Sequence, residues 1–186
     1  MKLLIGIVTY NSREVIERCL QSAIAASRNF QSEITVFDNA SADETTDFIR
    51  KQFPDINLII SEKNRGYALG VNRIAESGSW DYLLILNPDL FVHESAIRIG
   101  IDYAQSNPDV GLIGARLVDS DGNSVHSHGD IPTPDSFLKD FSGVRRLFGT
   151  GSNSYKSVGE ESDPFEVGFV TGAFMLIPLD SWRLIN

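Results

Sequence analysis

Four short polar segments hold the residues best suited to chemistry: "TYN" at 9–11, "DNAS" at 38–41, "NRGY" at 64–67 and "NPD" at 87–89. Their small polar groups, backbone amides and two Asp residues suit a nucleotide better than an apolar ligand. Asp89 follows Pro88, which stiffens the approach, and a carboxylate so placed can take a divalent cation. Mg²⁺ and Mn²⁺ prefer oxygen ligands, and Mg²⁺ is commonly held by one or two carboxylates together with substrate phosphates. Asn87 can add a neutral oxygen. Asp89 can equally cap the turn that follows, and spacing alone leaves both readings open. Asp38 and Asn39 pair a carboxylate with an amide, which can read the edge of a base or a sugar hydroxyl. Gly66 lets the backbone approach a ligand closely, and Arg65 offers a cation to a phosphate. Asn64 and Asn72 can orient that loop or serve as caps.

Something must bring these segments together. Each follows an apolar run that reads as a strand, at residues 3–8, 34–37, 57–61 and 83–86. Helical spacing lies between them. Val15, Ile16, Cys19, Leu20, Ala23 and Ile24 form one face, and Phe48, Ile49 and Phe53 form another. Asn11 with Glu14, and Ser41 with Glu44, have the spacing of capping boxes. A third helix ends at Gly78, and a fourth covers about residues 94–104. This alternation predicts an α/β domain with a mainly parallel central sheet flanked by helices. In such sheets the ligand crevice lies at the carboxyl ends of the strands, so the polar segments are expected to share one edge. Past residues 110–118 the rhythm breaks. "DSDGN" is a turn, and residues 126–165 form a long Gly-, Ser-, Pro- and Asp-rich loop. "FEVGFVTGAFMLIP" restores a strand pattern, and "LDSWRLIN" begins a helix. No repeat or linker divides the chain, so one domain over 1–186 is expected.

Composition narrows the function. A net charge of −9 argues against a non-specific grip on nucleic acid. Cys19 is the sole cysteine, which excludes an intrachain disulfide, and its helical position predicts a packed thiol. No apolar stretch reaches the roughly 18–20 residues of a membrane span. "MKLLIGIVTYNS" lacks a cleavage site and reads as a first strand, so a cytoplasmic chain is expected. His126 and His128 lack the further ligands a zinc site needs. Arg145 and Arg146 read as a solvated face, and Glu160, Glu161, Asp163 and Glu166 as an acidic stretch without an acid–base partner. No Gly-x-Gly-x-x-Gly follows the first strand and no Walker-type lysine is present, which weighs against dinucleotide and P-loop chemistry.

"IGIVTYNS", "VFDNASAD", "NRGYALGVN" and "LLILNPD", in this order and spacing, resemble family 2 glycosyltransferases, most of all their rhamnosyltransferase-like branch. "LVDSDGNSVHSHGDIPTP" and "VGFVTGAFMLIP" extend the likeness over almost the whole chain. The resemblance implies a GT-A fold binding a TDP-, UDP- or GDP-linked sugar, with a saccharide or lipid-linked acceptor and no nucleic acid. It implies inverting transfer in polysaccharide or cell-envelope glycan synthesis, at the cytoplasmic side and at most peripheral to the membrane. By motif, Thr9, Tyr10 and Asn11 would line the base and ribose pocket and Asp38 would read the base. The "NRGY" loop with Asn72 would support nucleotide and sugar. "NPD" stands where the family has Asp-x-Asp, so Asp89 would be the retained ligand for Mg²⁺ or Mn²⁺, with Asn87 in place of the first Asp. Gly172 and Ala173 would lie near the donor sugar or the acceptor. The family's general base is expected beyond Asn186, making this chain a donor-binding part with little transfer of its own. A non-catalytic sugar-nucleotide-binding module is the alternative. A sugar-nucleotide pyrophosphorylase fits less well, because it would want a Gly-rich loop with basic residues right after the first strand, and "TYNSRE" is not that.

Overall fold

The computed structural model describes residues 1–131, 133, 155–156 and 163–185; Arg145, Arg146, Glu160 and Glu161 lie outside them. The order of elements is β1 (Lys2–Thr9), α1 (Ile16–Ser27), β2 (Gln31–Asp38), α2 (Thr45–Gln52), β3 (Asn57–Ile60), α3 (Tyr67–Ala75), β4 (Tyr82–Leu86) and α4 (Ala96–Ser106). Short strands follow: β5 (Ile113–Gly114), β6 (Leu117–Val118), β7 (Ser124–Val125), β8 (His128–Gly129), β9 (Tyr155–Lys156) and β10 (Phe169–Val170). β11 (Phe174–Pro178) and α5 (Leu179–Ile185) close the chain. The described residues cluster into two compact units, one of 1–113 with 172–186 and one of 114–171.

The first unit is built on a sheet of order β3-β2-β1-β4-β11-β5. β1 pairs in parallel with β2 and β4, β2 pairs in parallel with β3, and β11 runs antiparallel to β4. The expected mainly parallel sheet is therefore present. Its central strand explains why "LLIGIV" is apolar throughout: Leu3, Leu4, Ile5 and Ile7 are at most 1% exposed, so both faces of the strand are covered. α3 packs on one face with Leu4, Val8, Phe37, Leu83 and Ile85 against Val71, Ile74 and Ala75. The approach is close, since a Cβ at Gly6 would lie 2.6 Å from Ile74. α4 covers the other face, where Gly100 meets Leu176 of β11.

Helix starts differ from the sequence reading. α1 begins at Ile16 with no side-chain cap, and α2 at Thr45 likewise. Asn11 and Ser41 are therefore not caps. Their side chains bond across to a neighbouring loop instead, as described below.

In the second unit, β8 pairs with β9 and β10 in a three-stranded sheet, and β6 pairs with β7. The predicted "DSDGN" turn closes the β6–β7 hairpin. Asp119 Oδ1 accepts the amides of Asp121 and Asn123, and Gly122 takes a positive φ of 84°. His128 is buried edge-on to Phe165.

Candidate functional site

The parallel pairing brings the polar segments to one edge of the sheet. Thr9 ends β1 opposite Asp38, the end of β2. The ladder continues one step further, because the Asn39 amide donates to the Thr9 carbonyl at 2.8 Å and the Ser61 amide to the Asp38 carbonyl at 2.9 Å. β4 delivers Asn87 to the same edge.

Three polar side chains are buried here: Thr9 at 1%, Asp38 at 1% and Asn39 at 3% exposure. Asp38 accepts the Ser41 amide at 2.9 Å on one oxygen and the Ser41 hydroxyl on the other. Ser41 Oγ in turn accepts the Asn11 amide at 2.8 Å, and Asn11 Oδ1 accepts the Ala42 amide at 2.8 Å. The loops after β1 and β2 thus hold each other. Asp38 keeps further acceptor capacity, since each carboxylate oxygen has two lone pairs. Asn39 Oδ1 accepts the Arg65 amide at 2.8 Å, which fastens the loop before α3 to the end of β2. Thr9 Oγ1 is different: it is buried and has no hydrogen-bond partner among the described residues. A buried hydroxyl without a partner is costly.

Backbone strain gathers at the same loops. Asn11 and Ala40 are the non-glycine residues of positive φ among those described, at 51° and 67°. Asn tolerates this region, but Ala does not gain from it, and such strain collects at functional sites. Gly66 precedes α3 at φ 86°, and its amide donates to Asn64 Oδ1 at 3.0 Å. Arg65 is exposed and makes no ion pair among the described residues, leaving its guanidinium available to an anion.

Beyond β4, the Asn87 amide donates to the Ala173 carbonyl at 2.9 Å. The Tyr67 hydroxyl donates to the Gly172 carbonyl at 2.8 Å. Gly172 and Ala173 are therefore joined to both the α3 loop and the "NPD" turn. Asp89 is exposed in that turn. Its charge reaches Cys19 beneath: burial first, then Asp89, push the Cys19 thiol up to about 12, against a smaller opposing effect of the Leu90 amide. Burial likewise pushes the Tyr67 phenol up to about 12. Tyr10 lies exposed next to Asn11, while Asn72 is exposed in α3 with no side-chain hydrogen bond to the loop.

Sequence reasoning missed several supporting residues. Asp43 accepts the Arg13 amide at 3.1 Å and the Thr45 amide at 3.0 Å, as well as the Thr45 hydroxyl. These bonds outweigh the opposing effect of desolvation and hold its carboxyl below the usual range. Thr45 Oγ1 also accepts the Ser12 amide at 3.0 Å. The density of Ser, Thr and Asp at 41–45 was the available signal, but it reads as a cap unless the opposite loop is known.

The family model for glycosyl transferase family 2 matches residues 4–182. The chain belongs to that family. It is 27% identical over 187 aligned residues to an N-acetylglucosaminyl-diphospho-decaprenol L-rhamnosyltransferase of Mycobacterium tuberculosis, covering 91% of this chain and 59% of that protein. A poly-beta-1,6-N-acetyl-D-glucosamine synthase of Staphylococcus aureus is 28% identical over 106 residues, 56% of this chain and 26% of the synthase. Among solved structures, the mannosyltransferase PcManGT of Pyrobaculum calidifontis, in complex with GDP-Man and Mn²⁺, superposes with a TM-score of 0.61 at 18% identity. The match covers 99% of this chain and 46% of PcManGT. S. aureus TarS 1-349 gives a TM-score of 0.56 at 20% identity, over 74% of this chain and 44% of TarS. At these identities the structural likeness speaks for the fold, which is GT-A. The family 2 chain thus spans 59% of the mycobacterial relative's length. Among its described residues no helix is long and apolar enough to cross a membrane.

Proposed function

We propose that the strand-end site binds the nucleotide diphosphate of a sugar donor, and that the whole protein transfers the sugar, with inversion, to a saccharide or lipid-linked acceptor. The observation that carries this reading is the buried, unpartnered Thr9 hydroxyl beside buried Asp38 and Asn39, at the edge where such a sheet takes a ligand. A donor hydroxyl or carbonyl would satisfy it. Tyr10 and Asn11 complete the base and ribose side, and Arg65 and the Gly66 backbone meet the phosphates. Rhamnose is the favoured sugar because the mycobacterial relative is a rhamnosyltransferase. The cytoplasmic, membrane-peripheral setting expected from the sequence belongs to the same proposal.

The donor set can be tested against a cation. No group of three or more His, Cys, Asp and Glu is gathered for a metal among the described residues. One exposed carboxylate, Asp89, with the Asn87 oxygen fits an ion that arrives with a diphosphate, rather than one held in a protein cage. Bound there, Mg²⁺ or Mn²⁺ would stabilise the negative charge that builds on the departing diphosphate. In the transfer itself the anomeric carbon loses its bond to the diphosphate oxygen as the acceptor oxygen attacks from the opposite face. The acceptor's proton passes to a carboxylate, a role assigned to none of the described residues.

Thermal unfolding with UDP, TDP and GDP, each with Mn²⁺, tests the reading. A ligand at about 100 times its Kd stabilises the folded state by about 2.7 kcal/mol, a readily measured rise in Tm. The same unfolding curve with all three nucleotides would sink the proposal.

A further inference from the structure

α1 grips the loop that carries Asp89 at two points. Where the loop leaves β4, Cys19 Sγ donates to the Asn87 carbonyl at 3.3 Å. Where it has passed Asp89, the Val92 amide donates to Ser22 Oγ at 3.0 Å. Ser22 gives its own proton to the Cys19 carbonyl at 2.9 Å, so both its acceptor and its donor are used. Cys19 and Ser22 are 0% and 4% exposed, and three positions apart they share one helix face. Val92 is buried at 4%. Between the anchors the loop turns outward, with Asp89 exposed and Phe91 66% exposed. Inside the turn, the Leu90 amide donates to the same Asn87 carbonyl at 3.3 Å. The segment 87–92 lies outside helix and strand. Without the two anchors its carboxylate would sample many positions, and ordering it would cost affinity.

We propose that Cys19 and Ser22 are positioning residues that hold the 87–92 loop at both ends and so fix where Asp89 presents its carboxylate to a diphosphate-bound cation. The role of the cation rests on the donor-site reading above; the grip on the loop does not. The clamp costs the helix little, because each polar group it buries is satisfied. Its two halves differ in strength. A thiol is a weak donor, whereas the Ser22 hydroxyl accepts a backbone amide that would otherwise be buried unpaired.

Two readouts separate the clamp from a merely structural role. In the first, the chain is titrated with UDP, TDP and GDP, with and without Mn²⁺, and the gain in affinity due to Mn²⁺ is taken for the tightest. Ser22→Ala is expected to cut that gain about fivefold, the worth of one net hydrogen bond, while metal-free affinity stays within about twofold. Cys19→Ala lowers the gain less, and Cys19→Ser restores it, since a hydroxyl is the better donor. Ser27→Ala is the control: Ser27 is buried on α1, but its hydroxyl bonds the Ile24 carbonyl of its own helix rather than the 87–92 loop. It leaves the Mn²⁺ gain unchanged even if it lowers stability. In the second readout, amide hydrogen exchange at Val92 speeds up by about tenfold in Ser22→Ala and not in Ser27→Ala, both measured below their unfolding transitions. An unchanged Mn²⁺ gain and unchanged Val92 exchange in Ser22→Ala overturn the clamp, as does an equal loss of gain in Ser27→Ala. A wild-type chain that binds none of the nucleotides with Mn²⁺ defeats the donor-site reading instead. Val92 exchange alone then decides whether α1 holds the loop.

Discussion

Gly70 offers a quantitative test of how α3 is seated above the site. A Cβ at this position would stand 2.8 and 2.9 Å from the two γ carbons of Val8 and 3.0 Å from Cδ1 of Phe37. Neither neighbour yields easily, because Val is stiff at χ1 and both side chains are buried, at 7% and 3% exposure. Overpacking of this kind costs about 1–3 kcal/mol. Replacing Gly by Ala within a helix returns about 1 kcal/mol of propensity. Gly70→Ala should therefore lose up to about 2 kcal/mol net, about 1 kcal/mol at the middle of that range. Gly100 in α4 supplies the matched control, since its Cβ would meet only the flexible end of Leu176, at 2.9 Å. The propensity gain is the same there and only a side-chain tip must shift, so Gly100→Ala should be at least as stable as wild type. Urea denaturation of both variants, read at unchanged m value, measures the difference directly. A Gly70→Ala chain as stable as Gly100→Ala would refute the close seating of α3 on β1 and β2. α3 also carries Tyr67, which bonds the Gly172 carbonyl. A displaced helix should accordingly weaken nucleotide binding as well.

Asp38→Ala removes the acceptor of two Ser41 bonds within one network and should cost about 2–3 kcal/mol in chemical denaturation; a loss under about 0.5 kcal/mol would show that those bonds are not formed. Cys19, with its thiol pushed up to about 12, should resist alkylation at neutral pH in the native chain and react fully once unfolded. Prompt native labelling would contradict its burial. The Tyr67 phenol, raised from 10.0 to about 12, favours the neutral form in the folded state. Its contribution is therefore complete below about pH 10 and lost as pH rises from 10 towards 12, which an ultraviolet titration of wild type against Tyr67→Phe will follow. A phenol titrating at 10 in the folded chain would be the contrary result.

The strand ends were legible in sequence because burial on both faces leaves a plain signal. "LLIGIV" and "LLIL" are apolar without alternation, and the polar residue that follows each marks the edge of the sheet. The cross-bracing was not legible. Asn11 and Ser41 have the spacing of helix caps, and only the parallel pairing of β1 with β2 sets their loops side by side, so that each satisfies the other. The same holds for Cys19 and Ser22. On a helical wheel they are core positions, and their polar atoms acquire a purpose only once β4 has delivered the 87–92 loop above them. Local pattern thus reports elements and faces, whereas hydrogen bonds between residues 30 to 70 apart depend on topology.

The central claim is that Asp89 helps this edge hold a nucleotide diphosphate through a divalent cation. Calorimetry with UDP, TDP and GDP, in Mn²⁺ and then in excess chelator, tests it most directly, on wild type, Asp89→Asn and the exposed α4 variant Asp102→Asn. The account predicts that at least one nucleotide binds wild type and Asp102→Asn about tenfold or more tightly with Mn²⁺, and that Asp89→Asn loses this gain while keeping its metal-free affinity. Equal Mn²⁺ gains in wild type and Asp89→Asn, or nucleotide binding indifferent to the metal, would contradict it.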